Sequence, residues 1–297
     1  MAAQSQVAGP PTLLQAEKRT RRNAISHVGR SRSIQIGLVI LIVLAVLSIS
    51  APILVDVSPT KMQPTAILVA PSSDHLFGTD DFGRDLFSRV LYGGRISILV
   101  GFLVSLLTTI TGIVFGTLAG FYRSLDNIIM RVMDILMSFP SILLAIGIMA
   151  ILGPQLINVI VALAIAFTPR SARLVRGEML HLREQDFIQA AQALGASDFR
   201  LIIRHAVPNS LTPLIIQQTF ILALAVIAEA TLSFLGVGVP PSVPTLGGIL
   251  ADSRQFLQVA PWMSIFPGLF ISLLVLGINL FGDGLRDILD PHLSSSG

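Results

Sequence analysis

The chain has 297 residues, of which 12% are charged and 53% are apolar, with a formal net charge of +3. Soluble domains carry about 25% charged residues, so this chain could not cover a water-facing surface, and the same numbers exclude disorder. A polytopic membrane protein remains. Cysteine is absent, which excludes disulfides, thiolate zinc sites, iron–sulfur clusters and cysteine nucleophiles. Neither of the two lysines, Lys18 and Lys61, precedes Ser or Thr, so the chain has no phosphate loop of the Walker A kind.

A helix crossing about 30 Å of hydrocarbon needs about 20 apolar residues. Six stretches meet or approach that length, and an all-α protein with six transmembrane helices is expected. The first, Ile36–Val55, follows a basic run as a signal peptide would. Pro52 sits directly behind the small residues that could mark cleavage, and five more spans follow, so it reads as a retained anchor. The second runs over Ile96–Phe121, the third from Val132 to Leu152, and the fourth from Leu156 to about Ala172. Gly153-Pro154-Gln155 is the tight turn between the third and fourth. The fifth covers Leu211–Leu235 and the sixth Met263–Phe281.

Orientation follows Lys and Arg in the loops. With the N-terminus inside, fifteen of the twenty fall on the cytoplasmic side: six in residues 1–35, Arg123, Arg131, six between Arg170 and Arg204, and Arg286. Five fall outside: Lys61, Arg84, Arg89, Arg95 and Arg254. Both termini are therefore expected in the cytoplasm, and the basic N-terminal run is a topology signal, not a nucleic-acid patch. The expected organisation is a cytoplasmic segment 1–35, a first helix 36–55, an external segment 56–93, a five-helix core 94–285 and a cytoplasmic tail 286–297.

The external segment holds Asp56, Asp74, Asp80, Asp81 and Asp85, whose spacing does not supply a calcium shell. Turn, cap and contact roles are expected. No metal, cofactor or nucleophile–base arrangement is read anywhere in the chain. In the second span Gly112, Gly116 and Gly120 form a ridge of small residues on which another helix can pack closely. Asp134 follows Arg131 by three positions, which predicts an interfacial ion pair. Glu229 lies inside the fifth span, where an ionised carboxylate costs about 2.5–3.5 kcal/mol near the bilayer centre. It is a candidate for lining or gating a pathway, for a helix-packing hydrogen bond, or for proton coupling.

The long internal loop, about 168–210, predicts two short helices. In the first, about Glu184 to Leu194, Phe187, Ala190, Ala191 and Leu194 share one face, with small residues at its centre. Gly195 supplies the stop. Ser197 is the expected N-cap of the second, about Asp198 to Ala206, with Asp198 in its first turn. Pro208 is expected to re-aim the chain into the fifth span. Such a hairpin can lie on the bilayer or dock a cytoplasmic partner.

Gln189-Ala190-Ala191-Gln192-Ala193-Leu194-Gly195 and the following His205-Ala206-Val207-Pro208 resemble the EAA loop of ABC-transporter permeases. Gln189, His205 and Val207 depart from that pattern, whereas the two alanines, Gly195 and Pro208 keep its spacing. His75-Leu76-Phe77-Gly78-Thr79-Asp80, Gly83-Arg84-Asp85, Tyr92-Gly93-Gly94-Arg95-Ile96-Ser97 and Glu229-Ala230-Thr231-Leu232-Ser233-Phe234-Leu235-Gly236 are similar to the dipeptide, oligopeptide and nickel group of these permeases. The resemblance covers about residues 34–292. It implies an importer type I permease fold in a bacterial inner membrane, and the second of two homologous permease subunits. It also implies two cytoplasmic ATPases carrying the ATP and Mg, an external solute-binding protein, and no enzymatic activity in this chain itself. Gln189, Ala190, Ala191, Gly195, Ser197, Asp198 and Pro208 would then form the ATPase-coupling loop. The rival reading is an ion- or proton-coupled secondary transporter in which Glu229 is the coupling group.

Overall fold

The computed structural model describes residues 32–55 and 57–289. The basic run from Lys18 to Arg30, Asp56 and the tail beyond residue 289 lie outside the described residues. Ten helices are used below: α1 (Arg32–Ile49), α2 (Leu86–Phe121), α3 (Arg123–Met137), α4 (Ser141–Leu152), α5 (Leu156–Arg183), α6 (Asp186–Ala193), α7 (Asp198–Leu201), α8 (Val207–Phe234), α9 (Leu246–Ser253) and α10 (Trp262–Leu289). Five are long and apolar enough to cross a membrane: α1, α2, α5, the run through α7 and α8, and α10. Together, α3 and α4 are long and apolar enough for a sixth crossing, broken between them.

The second helix starts at Leu86, ten residues before the expected Ile96. Asp85 caps it, its Oδ1 accepting from the Ser88 amide at 2.8 Å, and Arg89 inside it is buried in ion pairs. Charge therefore fails to mark the helix boundary here, because partners elsewhere in the fold neutralise it. At 36 residues α2 is about 54 Å long. It runs beside α5 in the same direction, Thr111 meeting Thr168 and then Gly112, Gly116 and Gly120 meeting Ser171, Val175 and Met179. A Cβ on any of these three glycines would lie 2.4–2.6 Å from α5 atoms, so the ridge is filled by this chain's own α5. Outside this pair, α8 packs on α2 and α10, and α10 on α1.

The expected straight third span is bent by 93° at Ser138-Phe139-Pro140. Pro140 disfavours a helical Phe139 and breaks the ladder. The two halves also differ in chemistry. α4 is apolar throughout, whereas α3 puts Arg123, Asn127, Arg131 and Asp134 on one arc and Leu125, Ile128, Val132 and Ile135 on another. Its ion pairs also differ from expectation. Asp134 accepts from Arg173 Nη2 at 2.6 Å instead of from Arg131, and Asp126 takes a two-pronged bond from Arg176 at 2.5 and 2.7 Å. Between Asp126 and Asp134 α3 advances eight residues, about 12 Å, while its partner on α5 moves back three, about 4.5 Å. α3 thus runs across α5 instead of along it. α4 then climbs beside α5 to Gly153, whose φ of +82° makes the turn, and Asn158 Nδ2 bonds the Leu152 and Gly153 carbonyls.

Candidate functional site

The internal hairpin grows out of α5, which continues past the expected Ala172 to Arg183 because its arginines project at the cytoplasmic end. Arg183 Nη1 donates to the carbonyls of Gly120 and Phe121 at 3.2 and 3.0 Å, closing the end of α2. α6 ends in a Schellman motif. The Ala196 amide bonds Ala191 O at 3.0 Å, and the Gly195 amide bonds Gln192 O at 2.9 Å. Gly195 stands at φ +85°, a conformation that costs other residues about 1–2 kcal/mol.

Ser197 occupies the N-cap position of α7 by its backbone, without a side-chain cap bond, and Asp198 lies in the first turn. The chain does not turn at Pro208. A π turn over Ile202–Ala206, with Val207 N bonded to Ile202 O, carries the helix straight into α8. Pro208 falls directly after this π turn, in the first turn of α8, and its missing N–H leaves one ladder bond unmade there.

The hairpin has two faces. Ile188 and Leu201 are buried on Phe121, with Ala191, Ala196 and Ile202 packed around them. Phe187, Leu194, Phe199 and Ile203 point away, with Leu194 90% and Phe199 74% exposed. Gln189 and Ala190 are exposed too, and Gln189 Nε2 bonds Glu184 O. Ala191 is thus turned partly inward instead of sharing the outer face with Phe187, Ala190 and Leu194. Ile188, Phe199 and Ile203 were not singled out from the sequence. The four-residue step from Phe199 to Ile203, continuing the apolar face of the first helix, is the signal that could have found the outer pair.

Glu229 is fully buried between α8 and α2, where Oε2 accepts from Ser97 Oγ at 2.8 Å and Oε1 from Ser233 Oγ at 2.9 Å. About three turns before it on α8, Gln218 ties three helices. Its Nε2 donates to Ser171 Oγ at 2.8 Å, while its Oε1 accepts from Thr108 Oγ1 at 2.9 Å and Ser105 Oγ at 3.3 Å. Buried polar groups satisfied in this way fix the register of α2, α5 and α8.

On the external side Asp80 is completely buried. Its Oδ1 accepts from the Phe82 and Arg84 amides at 2.9 and 2.8 Å, and its Oδ2 from Arg84 Nε at 2.6 Å and from Arg89. Asp252 of α9 reaches the same two guanidinium groups at 3.5 and 3.3 Å. Arg84, Arg89 and Asp252 help to line an external cavity of about 730 Å³, which Pro154, Pro240 and Pro241 also border. Asp81 is the odd carboxylate. Its Oδ1 is buried without a hydrogen bond, 3.8 Å from Arg84. Burial pushes its pKa up, neighbouring Asp80 and Asp252 add to that, and Arg84 only partly opposes it. A folded-state pKa raised above the unfolded value means that ionised Asp81 costs stability at neutral pH, and that the cost fades as pH falls through the raised pKa. Asp81→Asn is therefore expected to raise Tm at pH 7 and to lose that advantage in acid, read from the difference between the two thermal unfolding curves. Among the described residues, no group of three or more His, Asp or Glu side chains is placed to share a metal ion.

Residues 112–295 match the family described as binding-protein-dependent transport system inner membrane component. The chain belongs to that family. A Brucella abortus protein named for a peptide transport system permease is 49% identical over 268 residues, 90% of each chain. A dipeptide transport system permease protein of Alkalihalophilus pseudofirmus is 46% identical over 275 residues, 92% of this chain and 90% of the relative. A glutathione transport system permease protein of Pectobacterium atrosepticum is 45% identical over 226 residues, covering 76% and 75%. This chain is a multi-pass permease subunit of an ABC importer in a bacterial inner membrane, a transporter component and not an enzyme.

Proposed function

We propose that this permease forms half of a translocation pathway for small peptides or related polar solutes, beside a homologous permease chain. Two cytoplasmic ATPases, which hold the ATP and Mg, drive it, and an external solute-binding protein delivers the cargo. The observation that carries the reading is the outer face of the hairpin. Phe187, Leu194, Phe199 and Ile203 are exposed to water on an element whose inner face is already satisfied by Phe121. Apolar side chains displayed on a braced hairpin at the cytoplasmic end fit the groove of another protein. Gln189, Ala190, Ala191, Gly195, Ser197, Asp198 and Pro208 set the shape and position of that face.

The proton-coupled alternative needs Glu229 to meet water during the cycle. Its burial and its two serine donors favour a packing role instead. The two readings separate in uptake assays on the assembled complex. Glu229→Gln is expected to keep most of the uptake, and collapsing the proton gradient at constant ATP is expected to leave it intact. Uptake that follows the gradient and dies with Glu229→Gln would replace the ATP-driven reading. Because the chain has no native cysteine, a Leu194→Cys variant offers a single crosslinking site, and an ATPase chain is its expected product.

A further inference from the structure

The elbow made by α3 and α4 leaves a gap that the transport reading does not use. Its depth follows from the pairs on α5. α3 crosses α5 between Thr168 and Arg176, roughly 18 to 30 Å from the external end of α5 at Leu156. In a hydrocarbon layer about 30 Å thick, that runs from the inner half of the cytoplasmic leaflet's chains at Thr168 to its headgroups at Arg176. α3 lies there as an interfacial amphipathic helix, with one arc toward the hydrocarbon and Arg123, Asn127, Arg131 and Asp134 toward water.

Two cavities flank it. One, of about 310 Å³, is almost wholly apolar and lies between Phe115 of α2, Ile129 and Met133 of α3, and Ile165 of α5. The other, of about 650 Å³, lies on the polar arc and includes Arg131, Asp134 and Arg176. Ile128 and Val132 line both, so the two meet over the outer edge of α3. Asp126 is taken by Arg176 and Asp134 by Arg173. Arg131 is exposed and, among the described residues, has no carboxylate partner. An apolar void at hydrocarbon depth gives its lining no dispersion contacts until something apolar enters. An unpaired guanidinium a turn away adds an anion site at headgroup level.

The geometry points to a bound anionic phospholipid of the cytoplasmic leaflet. Its phosphate sits at Arg131, and one acyl chain passes over Ile128 and Val132 into the apolar cavity. The lipid completes the wall that the bent third crossing leaves open. This needs the membrane placement of the chain and not the transport reading, so each can fail without the other.

Native mass spectrometry of the full-length chain in neutral detergent tests it, with phosphatidylglycerol or phosphatidylcholine of the same acyl chains added. The wild type is expected to retain phosphatidylglycerol in preference. Arg131→Gln is expected to lower that retention about five-fold, the ratio that ~1 kcal/mol of headgroup attraction per arginine gives. Ile165→Phe, which fills the apolar cavity, is expected to lose both lipids. Lys61→Gln, on the external side, is expected to change nothing. Equal retention of the two lipids, or an unchanged preference in Arg131→Gln, overturns the headgroup assignment. Displacement by free glycerol phosphate would reduce the site to an anion site and overturn the lipid. An Ile128→Cys variant that crosslinks to a second permease chain in the membrane would put that chain on this edge instead.

Discussion

The paired substitution Leu194→Asp with Phe199→Asp is expected to lower ATP-driven uptake about tenfold or more while the chain still inserts and packs. Both side chains stand in water, so charging them costs this chain's own stability only about 0.5 kcal/mol. At an interface, buried apolar anchors of this size carry about 2 kcal/mol or more each. The effect should therefore appear in coupling and not in folding. Uptake in membrane vesicles, set beside the amount of chain extracted from the membrane, separates the two. Normal uptake by the double variant would remove the hairpin from the coupling path. Ile188→Asp is the useful contrast. It places a charge on Phe121 inside the inner cluster and should dislodge the hairpin itself. Gly195→Pro reaches the same end through the backbone, since the proline ring fixes φ near −65° where the chain needs +85°.

The crossings were legible because hydropathy over about 20 residues depends only on composition, and α1, α5, α8 and α10 follow it. What composition does not carry is direction. Val132–Leu152 reads as one apolar run, yet the chain bends by 93° inside it, and Pro140 was the local sign. Charge misleads in the same way. The sequence neighbour of Asp134 is Arg131, but Arg173, 39 residues on, takes the pair. The second apolar run begins at Ile96, yet the helix starts at Leu86, because Asp80 and Asp252 neutralise Arg89 inside it. For the hairpin, the stop at Gly195 and the two short helices could be read from local rules. Which face is free could not, because Phe121, 67 residues before Ile188, decides it. Glu229 could be singled out as costly. Its partner Ser97 comes from another helix and follows no spacing rule.

Asp80→Ala is expected to be the most damaging single change outside the membrane, costing about 3–5 kcal/mol, as removal of one partner from a buried ion pair does. The reason lies in the order of burial. Asp80 is fully buried and Arg89 is only 4% exposed, so removing the carboxylate leaves the buried Arg89 guanidinium without its closest partner. Two backbone amides, of Phe82 and Arg84, lose their acceptor as well. Asp80→Asn separates these contributions. It keeps an oxygen for the amides but removes the charge, so it should fall between Ala and the wild type. Asp252 reaches the same arginines but is 38% solvent-exposed, and Asp252→Ala should cost no more than about 1 kcal/mol. The chain supplies its own reporter, since Trp262 is the single tryptophan and its Nε1 donates to the carbonyl of Thr79, the residue before Asp80. Trp262 fluorescence followed through thermal unfolding should therefore sense loss of the Asp80 cluster at its source. Equal losses for Asp80→Ala and Asp252→Ala would mean that the exposed carboxylate holds the arginines, and the cluster would then be a surface ion pair that strong salt should weaken.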